Sequence, residues 1–400
     1  MTNRMIHTPE GVRDIYGMEL AGKLRVKERL HEKISLYGYQ DIQTPTFEFF
    51  DIFSREVGTT PSRELYKFFD KEGNTLVLRP DFTPSIARCA SKYFLDDAVP
   101  IRLCYECNVF TNISELQGKL KETTQMGTEL IGDNSAIGDA EMLCMVIDGL
   151  KACGFEELQI SIGEINYFKG ICDEAALSEE IVTELREYVS AKNYFGAEEF
   201  LRTHQVSEEL IDMLLKVSEI SSIEELRSLK ERIKNPRSLQ AVERLEQVYS
   251  LMEKQYGLEK YISFDLGMLS KFRYYTGIIF KAYTYGVGDA VVIGGRYDAL
   301  LTQFGKEAPA IGCVFLVDDI MSALSAQKIL PETVKHTAWF VYDEAHGEEA
   351  MKQILEYRGK GIAAVSVPYA ENMTVKDYEN YAAKYHVTEL HLLLTEVNHE

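Results

Sequence analysis

Gln125 and Glu129 stand four apart in residues 125–131, a segment that reads as a strand, so both side chains point to one face. Asp81 and Thr83, in "LRPDFT", are two apart and share a face if the turn stays extended. Tyr274 and Tyr275 are adjacent, so in an extended segment they point to opposite faces and at least one can reach a common pocket. These side chains offer acceptors and donors for a small polar ligand. Phosphate chemistry is poorly provided for. Residues 109–132, "VFTNISELQGKLKETTQMGTELIG", read as strand, loop, strand, a layout that can wrap a nucleotide. Yet no arginine occurs between Arg102 and Arg186, which leaves the loop Lys119 and Lys121. A lysine cannot reproduce the bidentate geometry of a guanidinium.

The elements that must position these residues follow from periodicity. Leu24, Val26, Leu30, Ile34 and Tyr37 recur at helical spacing over residues 20–37, and Gly38 closes that helix. "TLVLRPDFTPSIAR" (75–88) reads as a strand, a turn and a helix, and "IRLCYECNVF" (101–110) as a strand. Residues 134–154 form a helix, with Asn134 or Ser135 as N-cap and Gly154 as its stop. "ELQISIGE" (157–164) alternates. Residues 170–260, rich in Glu, Leu and Lys, predict an all-helical insertion. Strand patterns resume with "YISFDLGML", "RYYTGIIFKAY" and "AVVIGG"; tight turns between them predict an antiparallel sheet. After Pro331 the grammar becomes β–α–β–α–β, which predicts a small parallel unit over 333–400 beside a larger domain over 1–325.

Composition narrows the function classes. The 400 residues carry a formal net charge of −20, which disfavours steering toward a phosphate polymer. "MTNRMIHTPEGVRD" lacks the apolar core of a signal peptide and no apolar run spans a bilayer, so a cytoplasmic protein without membrane contact is expected. Cys104 and Cys107 form a CxxC, but no second pair or nearby histidine completes a metal site, and in a strand the two face opposite sides. No metal is expected, and all seven cysteines are expected as reduced, buried thiols. "CVFLVDDI" (313–320) has the apolar run and paired aspartates of a phosphoribosyl pyrophosphate loop, but "MSALSAQ" follows and reads as helix. "GGRYDALL" (294–301) lacks the GxGxxG order and is expected to start a helix, with Asp298 in its first turn.

"GYQDIQTPTFE", "LRPDFT", the 101–132 strand–loop–strand, "RYYTG", "GGRYDALL" and "APAIGCVFLVDDI", in that order, resemble the catalytic domain of histidyl-tRNA synthetase. The resemblance implies an α+β fold: a class II aminoacyl-tRNA synthetase-like antiparallel sheet flanked by helices. It also implies a dimer-interface motif ending at Pro45 and a C-terminal unit like a shortened anticodon-binding domain. It assigns Asp81, Thr83, Gln125, Glu129, Tyr274 and Tyr275 to histidine binding. The chemistry suits that ligand: Asp81, Thr83 and Gln125 can meet its ammonium, Glu129 can accept from the ring N–H, and a tyrosine can donate to the bare ring nitrogen.

Three positions depart from the synthetase pattern. Thr111, Ser270 and Asp319 stand where the resemblance implies phosphate-gripping arginines. Each arginine–phosphate pair is worth about 1.5–3 kcal/mol, so losing three costs about 5–9 kcal/mol. Only a shifted alignment, with Arg273 or Arg296 serving instead, would rescue the site. Asp81 also replaces the synthetase's usual glutamate, and "LRPDFT" is similar to the synthetase-like regulatory subunits of ATP phosphoribosyltransferase. That likeness implies no catalytic residues and no cofactor. It implies a self-dimer joined to a separate short-form catalytic subunit, feedback inhibition by L-histidine, and no tRNA partner. The alternatives are an active histidyl-tRNA synthetase and a histidine sensor serving another partner.

Overall fold

The computed structural model describes residues 6–54, 60–113, 120–215, 220–269, 274–331 and 336–395. They divide into two compact units, 1–331 and 332–400. The larger opens with α1 (Gly17–Leu36), which buries Val26, Leu30 and Ile34 and ends before Gly38 at φ +78°. Leu24, expected on the same apolar face, is half exposed. β1 (Gln40–Asp41) follows, then β2 (Phe47–Phe49), α2 (Asp51–Ser54), β3 (Lys67–Phe69) and β4 (Thr75–Leu78). β2, β4 and β3 make a small antiparallel sheet of their own.

Next come α3 (Thr83–Tyr93), the long pair β5 (Ile101–Phe110) and β6 (Glu122–Ile131), α4 (Ala136–Cys153) and β7 (Leu158–Glu164). Ser135 caps α4 by accepting from Gly138 N at 3.0 Å, and Gly154 at φ +114° stops it. The helical insertion is α5 (Ile165–Glu174), α6 (Glu179–Ser190), α7 (Tyr194–Thr203), α8 (Glu208–Leu215), α9 (Ile223–Lys230) and α10 (Pro236–Leu251). β8 (Ile262–Phe264), β9 (Ile278–Thr284), β10 (Val292–Arg296), β11 (Ala310–Leu316) and α11 (Val317–Gln327) complete the unit.

The main sheet runs β1-β5-β6-β11-β10-β9-β7-β8. Its centre is antiparallel, but β1 pairs with β5 and β7 with β8 in parallel, so it is mixed at both edges. The two faces are covered differently. Met126, Leu130, Ile160, Phe280 and Phe315 face the larger core, which takes in α1, α4 and the insertion. Leu103, Tyr105, Ile131 and Ile279 face a smaller, aromatic core under α3.

"GGRYDALL" does not start an α-helix. β10 runs through Arg296 into a turn and a 3₁₀ stretch at Leu301–Phe304. Asp298 accepts from Ala310 N at 2.9 Å instead of serving a helix dipole. "VDDIMSALSAQ" is the helix α11, with Asp318 and Asp319 in the first turn, where carboxylates favour the helix dipole.

The smaller unit is β12 (Thr337–Tyr342), α12 (Gly347–Gly359), β13 (Ala363–Pro368), α13 (Val375–Lys384) and β14 (Glu389–Leu393). Its strands are all parallel in the order β13-β12-β14, around Ala338, Phe340 and Ile354.

Candidate functional site

The site is built on the aromatic-core face of β5, β6, β11 and β10. Leu103 pairs with Glu129, Tyr105 with Gly127 and Cys107 with Gln125, so these six share one face. Across β6, Glu129 pairs with Gly312 of β11, which pairs with Gly295 of β10. The three glycines make the floor low enough for large side chains to lie flat on it. A Cβ on Gly312 would overlap the Glu129 carboxyl, and one on Gly127 would overlap the Tyr105 hydroxyl. One on Gly295 would stand 2.8 Å from the Tyr275 ring.

Glu129 is the centre of the arrangement and is 1% exposed. Thr83 Oγ1 donates to Oε1 at 2.9 Å, and the Tyr297 hydroxyl donates to Oε2 at 2.6 Å. Burial pushes the Glu129 carboxyl up to about 8, against the pull of the bonds from Tyr297 and Thr83; the charge of Asp81 adds to the rise.

Asp81 and Thr83 do not sit in an extended turn. Thr83 is the first residue of α3, and the Asp81 carboxylate folds onto the helix start, accepting from Phe82 N at 2.6 Å and Thr83 N at 3.3 Å. Thr83 reaches Glu129 from the helix because α3 lies over the sheet. Tyr274 and Tyr275 also depart from expectation. They lie in a turn ahead of β9, where residue alternation does not apply, and both are buried in the aromatic core with ring centroids 4.8 Å apart.

Gln125 is half-buried on the same face as Glu129. Its Oε1 and the Tyr105 hydroxyl are buried and make no hydrogen bond among the described residues. Buried polar atoms in native proteins are nearly always paired, so both mark places where a ligand's donors and acceptors can be met.

Tyr297 was not among the sequence candidates. Its signal was there: Gly295 faces the site, and two residues on along an extended strand returns to the same face. Arg296 between them faces the other way. It is 4% exposed and binds Asp139 at 2.5 Å and Asp133 O at 2.8 Å. Asp139, fully buried on α4, also accepts from Arg244 of α10 at 2.7 Å. Arg296 is therefore committed to this ion cluster and cannot stand in for a phosphate-binding arginine.

Of the three departures from the synthetase pattern, two lie in described residues. Thr111 is half-buried and its N–H donates to Lys121 O at 2.9 Å. Asp319 stands in the first turn of α11; its neighbour Asp318 accepts from Lys23 Nζ and Thr124 N, both at 2.7 Å. Ser270, Arg273 and Lys119 fall outside the described residues. Cys104 belongs to the larger core and Cys107 to the smaller, so the CxxC pair is split by the sheet.

Comparison with known proteins places the chain in a family. The sequence profile of the family "Histidyl-tRNA synthetase" matches residues 11–320. A protein of Acetivibrio thermocellus, named ATP phosphoribosyltransferase regulatory subunit, is 38% identical over 96% of this chain and 91% of its own. One of the same name from Ruminiclostridium cellulolyticum is 40% identical over 81% and 77%. The chain belongs to the ATP phosphoribosyltransferase regulatory subunit family. A crystal structure from Bacillus halodurans, titled as a regulatory subunit of this kind or histidyl-tRNA synthetase, superposes with a TM-score of 0.86 at 28% identity, covering 98% of both chains. Histidyl-tRNA synthetase from Nostoc shares the fold, with a TM-score of 0.79 at 18% identity over 96% of this chain and 90% of its own. The family thus joins a synthetase fold to a regulatory role, with a mixed central sheet flanked by helices. Among the described residues no helix is long and apolar enough to cross a membrane.

Proposed function

We propose that this chain senses free L-histidine and, with no catalytic site of its own, regulates a separate ATP phosphoribosyltransferase catalytic subunit in the first step of histidine biosynthesis. The observation that carries the reading is Glu129: a buried carboxyl held from two sides, on one sheet face with Gln125 Oε1 and the Tyr105 hydroxyl, which have no partner among the described residues. Such a carboxyl can accept from the ligand's ring N–H, while Tyr274, Tyr275 and Tyr105 supply phenols and apolar walls. Asp81, at the α3 start, puts a carboxylate near the same cluster for the ammonium. Thr111 and Asp319 offer no guanidinium for a triphosphate, which supports sensing over adenylate chemistry.

Sensing needs only that histidine bind two quaternary states unequally. A self-dimer through the segment ending at Pro45, joined to the catalytic subunit in a symmetric complex, supplies those states. The test mixes this chain with a short catalytic subunit. Turnover is expected to rise on mixing and fall on adding histidine. The histidine effect is expected to weaken in Glu129→Ala while assembly survives. Loss of one carboxylate hydrogen bond costs about 1.5–3 kcal/mol, or about 10- to 150-fold in affinity. A catalytic subunit that is fully active alone and indifferent to this chain would refute the proposal.

A further inference from the structure

On the opposite side of β5 from the histidine site, three side chains of different chemistry converge. His31 comes from the last turns of α1, Asp41 from β1 and Cys104 from β5. The His31 Nε2 lies 2.8 Å from Asp41 Oδ1, and Cys104 Sγ lies 3.3 Å from the same oxygen. All three ligand atoms fall within 4.8 Å of one another. They are brought together by the parallel pairing of β1 with β5, which sets Asp41 opposite Cys104. They also line an open cavity of about 370 Å³, together with Lys27, Glu28 and Glu106. Lys27 is paired with Glu106 at 2.5 Å across that cavity. Glu28 precedes His31 by three residues, so the two occupy one face of α1.

We propose that His31, Asp41 and Cys104 form a binding site for a zinc-class divalent cation, with solvent at the fourth position. The donor set fits that ion. One imidazole, one carboxylate and one thiolate are the borderline ligands that zinc accepts in tetrahedral geometry. The three donors come from a helix and two strands, so an ion there would pin α1 against the sheet edge. Alternative explanations of the cluster account for less. An exposed His–Asp pair needs no third partner, yet the Cys104 thiol, 3% exposed, is aimed at its carboxylate. The sequence hid the site because its ligands are 10 and 63 residues apart along the chain. Binding replaces the Cys104 S–H by an S–zinc bond and releases one proton to the buffer, so affinity must rise with pH.

The experiment titrates the full chain with zinc, and separately with cobalt(II) as a spectroscopic reporter, in the absence of histidine. One ion per chain is expected, with a thiolate-to-cobalt charge-transfer band. Cys104→Ser should abolish the band, and His31→Ala should weaken zinc binding by at least about tenfold. Cys107→Ser, on the other side of the sheet, should change neither. His31 is 46% exposed, so its alanine variant decides the matter even if the Cys104 variant fails to fold. Absence of stoichiometric binding, or binding and a cobalt band unchanged in His31→Ala, overturns the proposal.

Discussion

Replacing Glu129 by Gln separates what the fold tolerates from what the site needs. Burial raises the Glu129 carboxyl from its ordinary value to about 8, so the folded chain holds a proton there that the unfolded chain has already released. Between the ordinary carboxyl range and about 8 the native state therefore binds more protons than the unfolded state. The contribution of Glu129 to stability is then greatest at low pH, declines as pH rises toward 8, and is gone above it. The full gap corresponds to about 5 kcal/mol at about 1.36 kcal/mol per pH unit, an upper figure for a group with hydrogen-bond partners. The amide is nearly isosteric, carries no proton to lose, and can still meet Thr83 and Tyr297. Glu129→Gln should be close to wild type near pH 5 and more stable near pH 9, the difference widening with pH by several kcal/mol. Urea unfolding of both proteins at half-unit steps from pH 5 to 9 measures this directly. Two parallel curves would refute the account of Glu129 as a buried carboxyl held neutral by its surroundings.

Gly312→Ala should cost at least about 1–3 kcal/mol and abolish histidine binding, because the added methyl would occupy the space of the Glu129 carboxyl; unfolding and calorimetry check both. Tyr297→Phe removes one donor from Glu129, so the carboxyl should rise further and the pH at which stability levels off should move up, as read from the same unfolding series. Arg296→Met leaves Asp139 buried with only Arg244 and should destabilise by about 3–5 kcal/mol, while Arg244→Ala, at the rim of the cluster, should cost less; thermal unfolding ranks the two. Histidine-dependent pyrophosphate–ATP exchange should stay at background, given Thr111 and Asp319; robust exchange would overturn the regulatory reading.

How much of this could be read from sequence depended on whether a residue's environment was local. β5, β6 and α4 were legible because alternation and caps act over a few residues, and Gln125 with Glu129 followed from the strand period alone. Tyr274 and Tyr275 were named, but their orientation was misjudged, since they precede β9 and a turn does not alternate. Asp81 and Thr83 were named with the wrong backbone, because Pro84 at the second position of α3 starts a helix there. Tyr297 was passed over because "GGRYDALL" was weighed as a glycine motif. Its glycines serve a different end, close approach of the Phe280 ring to Gly294 and of the Tyr275 ring to Gly295, which only the folded sheet reveals. The parallel edges of the sheet were missed for the same reason: β1 and β8 are two and three residues long and carry too little pattern.

The alternation along β6 has a consequence for how the chain finds its fold. Gln125, Gly127 and Glu129 face one core, while Met126, Thr128 and Leu130 face the other. A slip of one residue against β5 or β11 would exchange the two sets and drive Glu129 into the larger core, away from the Thr83 and Tyr297 hydroxyls that hold it. An unpartnered carboxyl in such surroundings costs several kcal/mol even when protonated. Mispaired forms of the sheet are thus penalised most by the residue the ligand would contact. The Glu129 carboxyl thus doubles as a proofreader of strand register, so a chain that has paired these strands correctly has also set the proposed sensor facing the right way.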